Sequence, residues 1–224
     1  MNATILPAAL RSLGSTLGID LWLARLDKAG EIMDTGMLSA AERARAERFA
    51  FDHDRRRYIA AHFALRQLLA MRTGEALSQL RFEDDAHGKP RVCGGGCAFS
   101  LSHSAQYALI ALSDTGDIGA DIEFVKTMPD AERLAERLYT PTERTEIASA
   151  EDAPGAFLRC WTRKEACLKA VGRGLLIEPG TFEAGATPQQ RTLSIPIDAS
   201  SVVVAVASVE TAADCVAAVA RALP

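Results

Sequence analysis

The sequence predicts an α+β protein of two similar α+β halves, residues 1–114 and 115–224, with its functional site where they meet. Three observations lead there. Helical and strand-like patterns are mixed along the chain. Several segments recur in the same order at an offset of about one hundred residues. A turn-rich cluster, Ser113-Asp114-Thr115-Gly116-Asp117, divides the two series. Each match is weak alone; order and offset carry the inference.

The elements follow in order. The apolar strand Ile19-Asp20-Leu21-Trp22-Leu23-Ala24 is matched by Ile118-Gly119-Ala120-Asp121-Ile122-Glu123. Leu38-Ser39-Ala40-Ala41-Glu42-Arg43 is matched by Leu138-Tyr139-Thr140-Pro141-Thr142-Glu143-Arg144, and each opens a charged helix. Ser39 is a good N-cap, and Glu42 three positions on completes a capping box. Arg43, Arg45 and Arg48 alternate with Glu42 and Glu47 on a largely solvated face, while Arg55, Arg56 and Arg57 suit one phosphate group. The helix ending Arg66-Gln67-Leu68-Leu69-Ala70-Met71-Arg72-Thr73-Gly74 is matched by Lys164-Glu165-Ala166-Cys167-Leu168-Lys169-Ala170-Val171-Gly172, both stopped by glycine. The β-rich run at residues 107–113 is matched to residues 202–208.

Composition excludes several classes. The chain has 224 residues and a net charge of −4, which attracts neither nucleic acid nor an anionic membrane. No window approaches the roughly 20 apolar residues that span a bilayer. Residues 1–10 lack the basic start and apolar run of a signal peptide. Five scattered cysteines, an odd count, make no disulfide framework and point to the reducing cytoplasm. Cys93 and Cys97 flank a glycine-rich turn, but no second pair completes a zinc site.

The chemistry concentrates in four places. Phe157, Leu158, Trp161 and Leu168 share one helical arc, and Glu165 and Lys164 fall inside it, with Lys169 at its edge. Charges there need a partner, such as a metal ion or a polyphosphate. Asp121 and Glu123 lie two apart on a strand, about 6.5 Å along one face, and repel by about 2.5 kcal/mol at an effective dielectric near 20. A divalent cation removes that penalty, and such oxygen donors suit magnesium. The turn His87-Gly88-Lys89-Pro90 presents a cation, and Ser102 and His103 offer a hydroxyl and an imidazole to phosphate oxygens. Adjacent on a strand, Ser102 and His103 point apart, which disfavours a Ser-His hydrolase.

Together these segments resemble the 4′-phosphopantetheinyl transferases, specifically the long Sfp-like branch. The family pattern runs Gly-Lys-Pro, Phe-Asn-x-Ser-His-Ser, Gly-Ile-Asp-Ile-Glu and Trp-Ser/Thr-x-Lys-Glu-Ala/Ser-x-x-Lys. This chain has Gly88-Lys89-Pro90, Phe99-Ser100-Leu101-Ser102-His103-Ser104, Gly119-Ala120-Asp121-Ile122-Glu123 and Trp161-Thr162-Arg163-Lys164-Glu165-Ala166-Cys167-Leu168-Lys169. The resemblance implies two halves related by a pseudo-twofold, coenzyme A as co-substrate, magnesium (or manganese) as metal, and an apo acyl or peptidyl carrier protein as acceptor. It implies Asp121, Glu123 and Glu165 as metal ligands, Glu165 also as base, and Lys169 on the diphosphate. Lys89, Pro90, Ser102, His103, Arg45 and Arg57 become coenzyme A contacts, the last three near its 3′-phosphate. It also implies a monomer, and a carrier surface between residues 128 and 156 that includes Leu134, Leu138 and Tyr139, with Arg133, Arg137 and Arg144 steering. Ser100 departs from the family asparagine and Ala120 from a larger apolar residue; neither removes a charged group. A magnesium-dependent phosphohydrolase, or a non-catalytic binder of coenzyme A or carrier, would use the same residues, although a binder needs no full acid set.

Overall fold

Leu17 and Gly18 both take positive φ, 55° and 70°, which is type I′ hairpin backbone joining β1 (Leu10–Thr16) to β2 (Ile19–Arg25). The computed structural model describes residues 10–27, 35–126, 128–211 and 214–224; most of the 1–10 segment read above for a signal peptide lies outside them. β1 escapes the sequence reading because a register shift between Ser12 and Gly14 breaks its alternation. The first half continues through α1 (Ala40–Ala46), α2 (Asp52–Thr73), the short pair β3 (Phe82–Asp84) and β4 (Pro90–Val92), then β5 (Ala98–Ser104) and β6 (Tyr107–Ser113). Its antiparallel sheet runs in the order β1-β2-β6-β5.

The second half repeats this plan. β7 (Ile118–Phe124) is followed by α3 (Ala131–Leu138), α4 (Pro141–Ala148) and α5 (Ala153–Val171), then β8 (Arg191–Ile197), β9 (Ser200–Val209) and β10 (Cys215–Ala222), in sheet order β7-β10-β9-β8. One expected correspondence is corrected. β6 neighbours β2, and the strand that neighbours β7 is β10, so residues 107–113 answer to β10 and β9 answers to β5. Both candidates are runs of valine and alanine, which pattern alone does not separate.

The duplication reaches individual side chains. Ser39 and Glu42 form the capping box of α1, and Thr140 and Glu143 form that of α4. Each glutamate is buried and meets a cation from the long helix of its half. Arg66 donates to Glu42 Oε2 at 2.6 Å, and Lys164 Nζ lies 2.8 Å from Glu143 Oε2. Lys164 and Glu143 are 0% exposed and Arg66 1%. Lys164 also donates to the carbonyls of Pro179 and Phe182, so its charge is fully solvated by protein.

The halves meet through an apolar layer and a polar seam. Ile19, Leu21 and Leu109 of the first sheet pack on Ile118, Ile122 and Val219 of the second. Edge strands β5 and β7 lie alongside, and serines bridge them: Ser100 Oγ accepts the Ala120 N–H at 2.9 Å, which gives this family departure a definite role. Arg221 on β10 donates to the carbonyls of Leu17, Gly18 and Thr115, clamping the hairpin and the linker between halves. Lys89 crosses the same seam, donating to Ile118 O at 3.1 Å, Ala170 O at 3.2 Å and Asp117 Oδ1 at 3.3 Å. Among the described residues no helix is long and apolar enough to cross a membrane.

Candidate functional site

α5 is capped by Asp152, whose side chain accepts the Gly155 N–H, and ends at Gly172 in the left-handed region with φ 75°. It presses onto β7 at Gly119, where a Cβ would stand 2.0 Å from the Ala166 carbonyl oxygen. Only glycine permits that approach. The helix is buried almost all round, and the half-open stripe is Trp161, Glu165 and Lys169 at four-residue spacing. The sequence reading set Glu165 within the buried arc; it lies on this stripe instead, and Lys164 and its neighbour Arg163 are the charges that go fully inside.

The close approach brings strand and helix chemistry together. Lys169 Nζ lies 2.6 Å from Asp121 Oδ1 and 3.2 Å from Ala120 O. Ser102 donates to the same Asp121 oxygen at 2.7 Å, while Asp121 Oδ2 is buried without a partner and the residue is 5% exposed. Burial raises the Glu165 pKa, and the charges of Asp121 and Glu123 add to it while Lys169 opposes. Glu123 is likewise raised, by burial first and then by Asp121, against a hydrogen bond from Ser104 that lowers it. The three carboxylates thus form one electrostatic group. They are not a closed cage: among the described residues no three of His, Cys, Asp and Glu stand close enough to ligate one ion as arranged. By chemistry they fit a hard dication, since the donors are all oxygen and one buried carboxylate oxygen lacks a partner.

A cleft of about 530 Å³ opens beside them, within the usual range for small-molecule sites. The first half supplies Ser39, Tyr58, His62, Lys89, Pro90 and Ser100 to its lining, and the second supplies Leu168, Lys169 and Gly172. Lys89 therefore walls the cleft with its stem while its ammonium holds the seam; burial lowers its pKa against the pull of Asp117. Ser102 is turned to Asp121. His103 is exposed at the surface of β5, yet crowding by neighbouring atoms, then the charges of His62 and Lys169, hold its pKa below the ordinary value; Arg57 adds to this. The charge of Arg57 is thus felt at His103, while Arg57 itself stands 3.5 Å from Asp54. Arg45 stays on the exposed face of α1; burial and then the charge of Glu42 raise the Tyr58 pKa, and the Arg45 charge opposes them. Tyr58 and His62 were not singled out from sequence, although with Arg66 they follow a four-residue spacing along α2. His62 Nδ1 lies 2.9 Å from Glu42 Oε1, and its ring meets that of Tyr58 at 4.1 Å between centroids, tilted by 33°.

A second groove, of about 690 Å³, runs between α3, α4 and the start of α5, with Met128, Ala135, Ile147 and Phe157 in its walls and Lys126 and Arg144 at its lining. Leu134 and Leu138 are half-buried beside it. Tyr139, expected on a carrier surface, is core instead: it is 3% exposed and its hydroxyl donates to Phe157 O at 2.9 Å.

Comparison with known proteins bears on both halves. Residues 117–220 match the 4′-phosphopantetheinyl transferase superfamily, and residues 30–115 match the 4′-phosphopantetheinyl transferase N-terminal family. The 4′-phosphopantetheinyl transferase HetI of Nostoc sp. (strain PCC 7120 / SAG 25.82 / UTEX 2576) is 38% identical over 165 residues, 70% of this chain and 70% of HetI. The chain belongs to the 4′-phosphopantetheinyl transferases, on their Sfp-like branch. Psf-1 of Bacillus pumilus is 32% identical over 163 residues, 71% of this chain and 69% of the relative. Sfp of Bacillus subtilis (strain 168) is 28% identical over 148 residues, 65% of each. All three bear the name 4′-phosphopantetheinyl transferase. The transferase's matched stretches adjoin within the turn cluster that separates β6 from β7, so each half of the frame has its own counterpart.

Proposed function

We propose that this cytoplasmic, monomeric transferase moves 4′-phosphopantetheine from coenzyme A to a serine of an apo acyl or peptidyl carrier protein, releasing 3′,5′-ADP, with magnesium as its metal. The observation that carries this reading is Lys169, which lines the seam cleft and stands 2.6 Å from Asp121, so that it links the cleft to the carboxylates. On this reading coenzyme A lies in the cleft with its diphosphate toward Lys169. Its 3′-phosphate meets His103, Arg57 and Arg45, remote contacts that orient the reacting centre. Lys89, Pro90 and Ser102 flank the bound molecule.

Asp121, Glu123 and Glu165 hold the dication, magnesium or manganese, which neutralises diphosphate charge as a Lewis acid when bound. The carrier serine oxygen attacks the β-phosphorus. A new O–P bond forms while the bond from that phosphorus to the bridging oxygen breaks, and 3′,5′-ADP departs with the electron pair. Glu165 accepts the serine proton, directly or through water, base catalysis of the kind that supplies about 10²- to 10⁴-fold. Lys169 stabilises the charge that develops on the leaving oxygen. The apolar groove between α3, α4 and α5 receives the carrier, with Arg144 at hand for an acidic partner.

The test is intact-mass spectrometry of an apo carrier protein incubated with the enzyme, coenzyme A and magnesium. The expected result is a gain of one phosphopantetheine per carrier with an equal amount of 3′,5′-ADP released. Coenzyme A cleaved with no change in carrier mass would instead support the hydrolase reading.

A further inference from the structure

We propose that Ser104 is a positioning residue for the metal site, fixing Glu123 in place from the neighbouring half. This rests on the reading of Asp121, Glu123 and Glu165 as metal ligands. Ser104 ends β5 and lies across the seam from the end of β7. Its oxygen accepts the Phe124 N–H at 3.1 Å, and its proton goes to Glu123 Oε2 at 2.7 Å. A serine hydroxyl has one proton to give, so once the oxygen faces the Phe124 N–H the proton is directed at the carboxylate. The hydroxyl is tied to the main chain of the residue next to Glu123, and so holds side chain and strand as one unit.

The same face of β5 repeats the device. Ser102, two positions earlier, donates to Asp121 Oδ1 at 2.7 Å, and Ser100 accepts the Ala120 N–H at 2.9 Å. Serines at alternate positions therefore address both acids of β7 and two of its edge N–H groups. Glutamate has a flexible side chain whose freedom must be lost on binding a cation, and a hydrogen bond made beforehand removes part of that cost. Hydrogen-bond partners of ligating carboxylates commonly change metal affinity by about 10- to 100-fold.

The experiment uses the full chain as wild type, Ser104→Ala, Ser104→Thr and Ser104→Val, the last two differing essentially in the hydroxyl. Manganese binding is followed by the electron paramagnetic resonance of free Mn²⁺ without coenzyme A. Magnesium dependence of carrier modification and melting in EDTA are measured beside it. Expected is about 10-fold weaker Mn²⁺ binding for Ala and Val, a matching rise in the magnesium needed for half-maximal rate, and recovery in Thr. Coenzyme A binding in EDTA stays unchanged. A variant without the hydroxyl that melts lower but binds Mn²⁺ like wild type would make Ser104 a strand cap only and overturn the proposal. Wild type that binds no Mn²⁺ and needs no divalent ion would overturn the underlying metal reading, a separate and recognisable failure.

Discussion

In the first half a buried glutamate, Glu42, closes the capping box of α1 and pairs with Arg66 of α2; in the second, Glu143 closes that of α4 and pairs with Lys164 of α5. Beyond this shared frame the halves part. Asp121 and Glu123 stand where the aligned strand β2 has Trp22 and Ala24, and Glu165 and Lys169 stand where α2 has Gln67 and Met71. The spacing differs too. α5 is pressed onto β7 at Gly119, whereas β2 has Asp20 at that place, bound to Arg72 at 2.8 Å, and α2 stands further off its sheet. The halves share the frame; on the proposed reading one small residue and four charged ones give the second half its chemistry, while the first half walls much of the cleft.

The largest test of the shared frame removes its cations. Lys164→Met and Arg66→Met each take the buried cation from a buried glutamate and are expected to cost up to about 3–5 kcal/mol in denaturant unfolding. Arg66→Met falls at the lower end because His62 stays 2.9 Å from Glu42. A loss below about 1 kcal/mol in one half only would break the equivalence. Acid sharpens the comparison next. Burial pushes the Glu42 carboxyl up, but hydrogen bonds from His62, Arg66 and Ser39 outweigh it and bring the pKa from 4.5 to about 2. A folded pKa below the unfolded one means stability that is complete above pH 4.5 and lost as pH falls toward about 2. Its size is about 3 kcal/mol, and Glu42→Gln is expected to flatten that part of the stability–pH curve. Gly119→Ala comes third, at about 1–3 kcal/mol, because α5 must shift. It is also expected to slow carrier modification, while Asp20→Ala in the first half costs under about 1 kcal/mol and spares activity. The smallest effect belongs to Met71→Lys, half-exposed at the place of Lys169: carrier modification stays within about twofold of wild type.

Much of this was legible in the chain. The capping box of Ser39 and Glu42, the glycine helix stops and the Asp121/Glu123 spacing are local signals, and local signals survive into the fold. The buried partners were not legible. Nothing local says that Glu42 reaches across 24 positions to Arg66, or Glu143 across to Lys164; only packing of the long helix on its cap reveals it. Lys164 looked like a charge in search of a ligand and found two carbonyls and a glutamate. Helical periodicity misplaced Glu165 because α5 is wrapped on nearly every side, which leaves no single apolar arc to read. The β9-for-β10 exchange came from repetitive valine and alanine. Ser104 was visible only as part of a motif, since its two bonds cross between strands that are distant in the sequence.

The central claim is that the second half carries the chemistry through β7 and α5. The most direct measurement compares carrier mass gain from coenzyme A between wild type and Asp121→Asn, with melting curves to confirm that both are folded. The account expects one phosphopantetheine per carrier with wild type and a rate at least about 10²-fold lower with the variant. Equal rates in two equally folded proteins would contradict it.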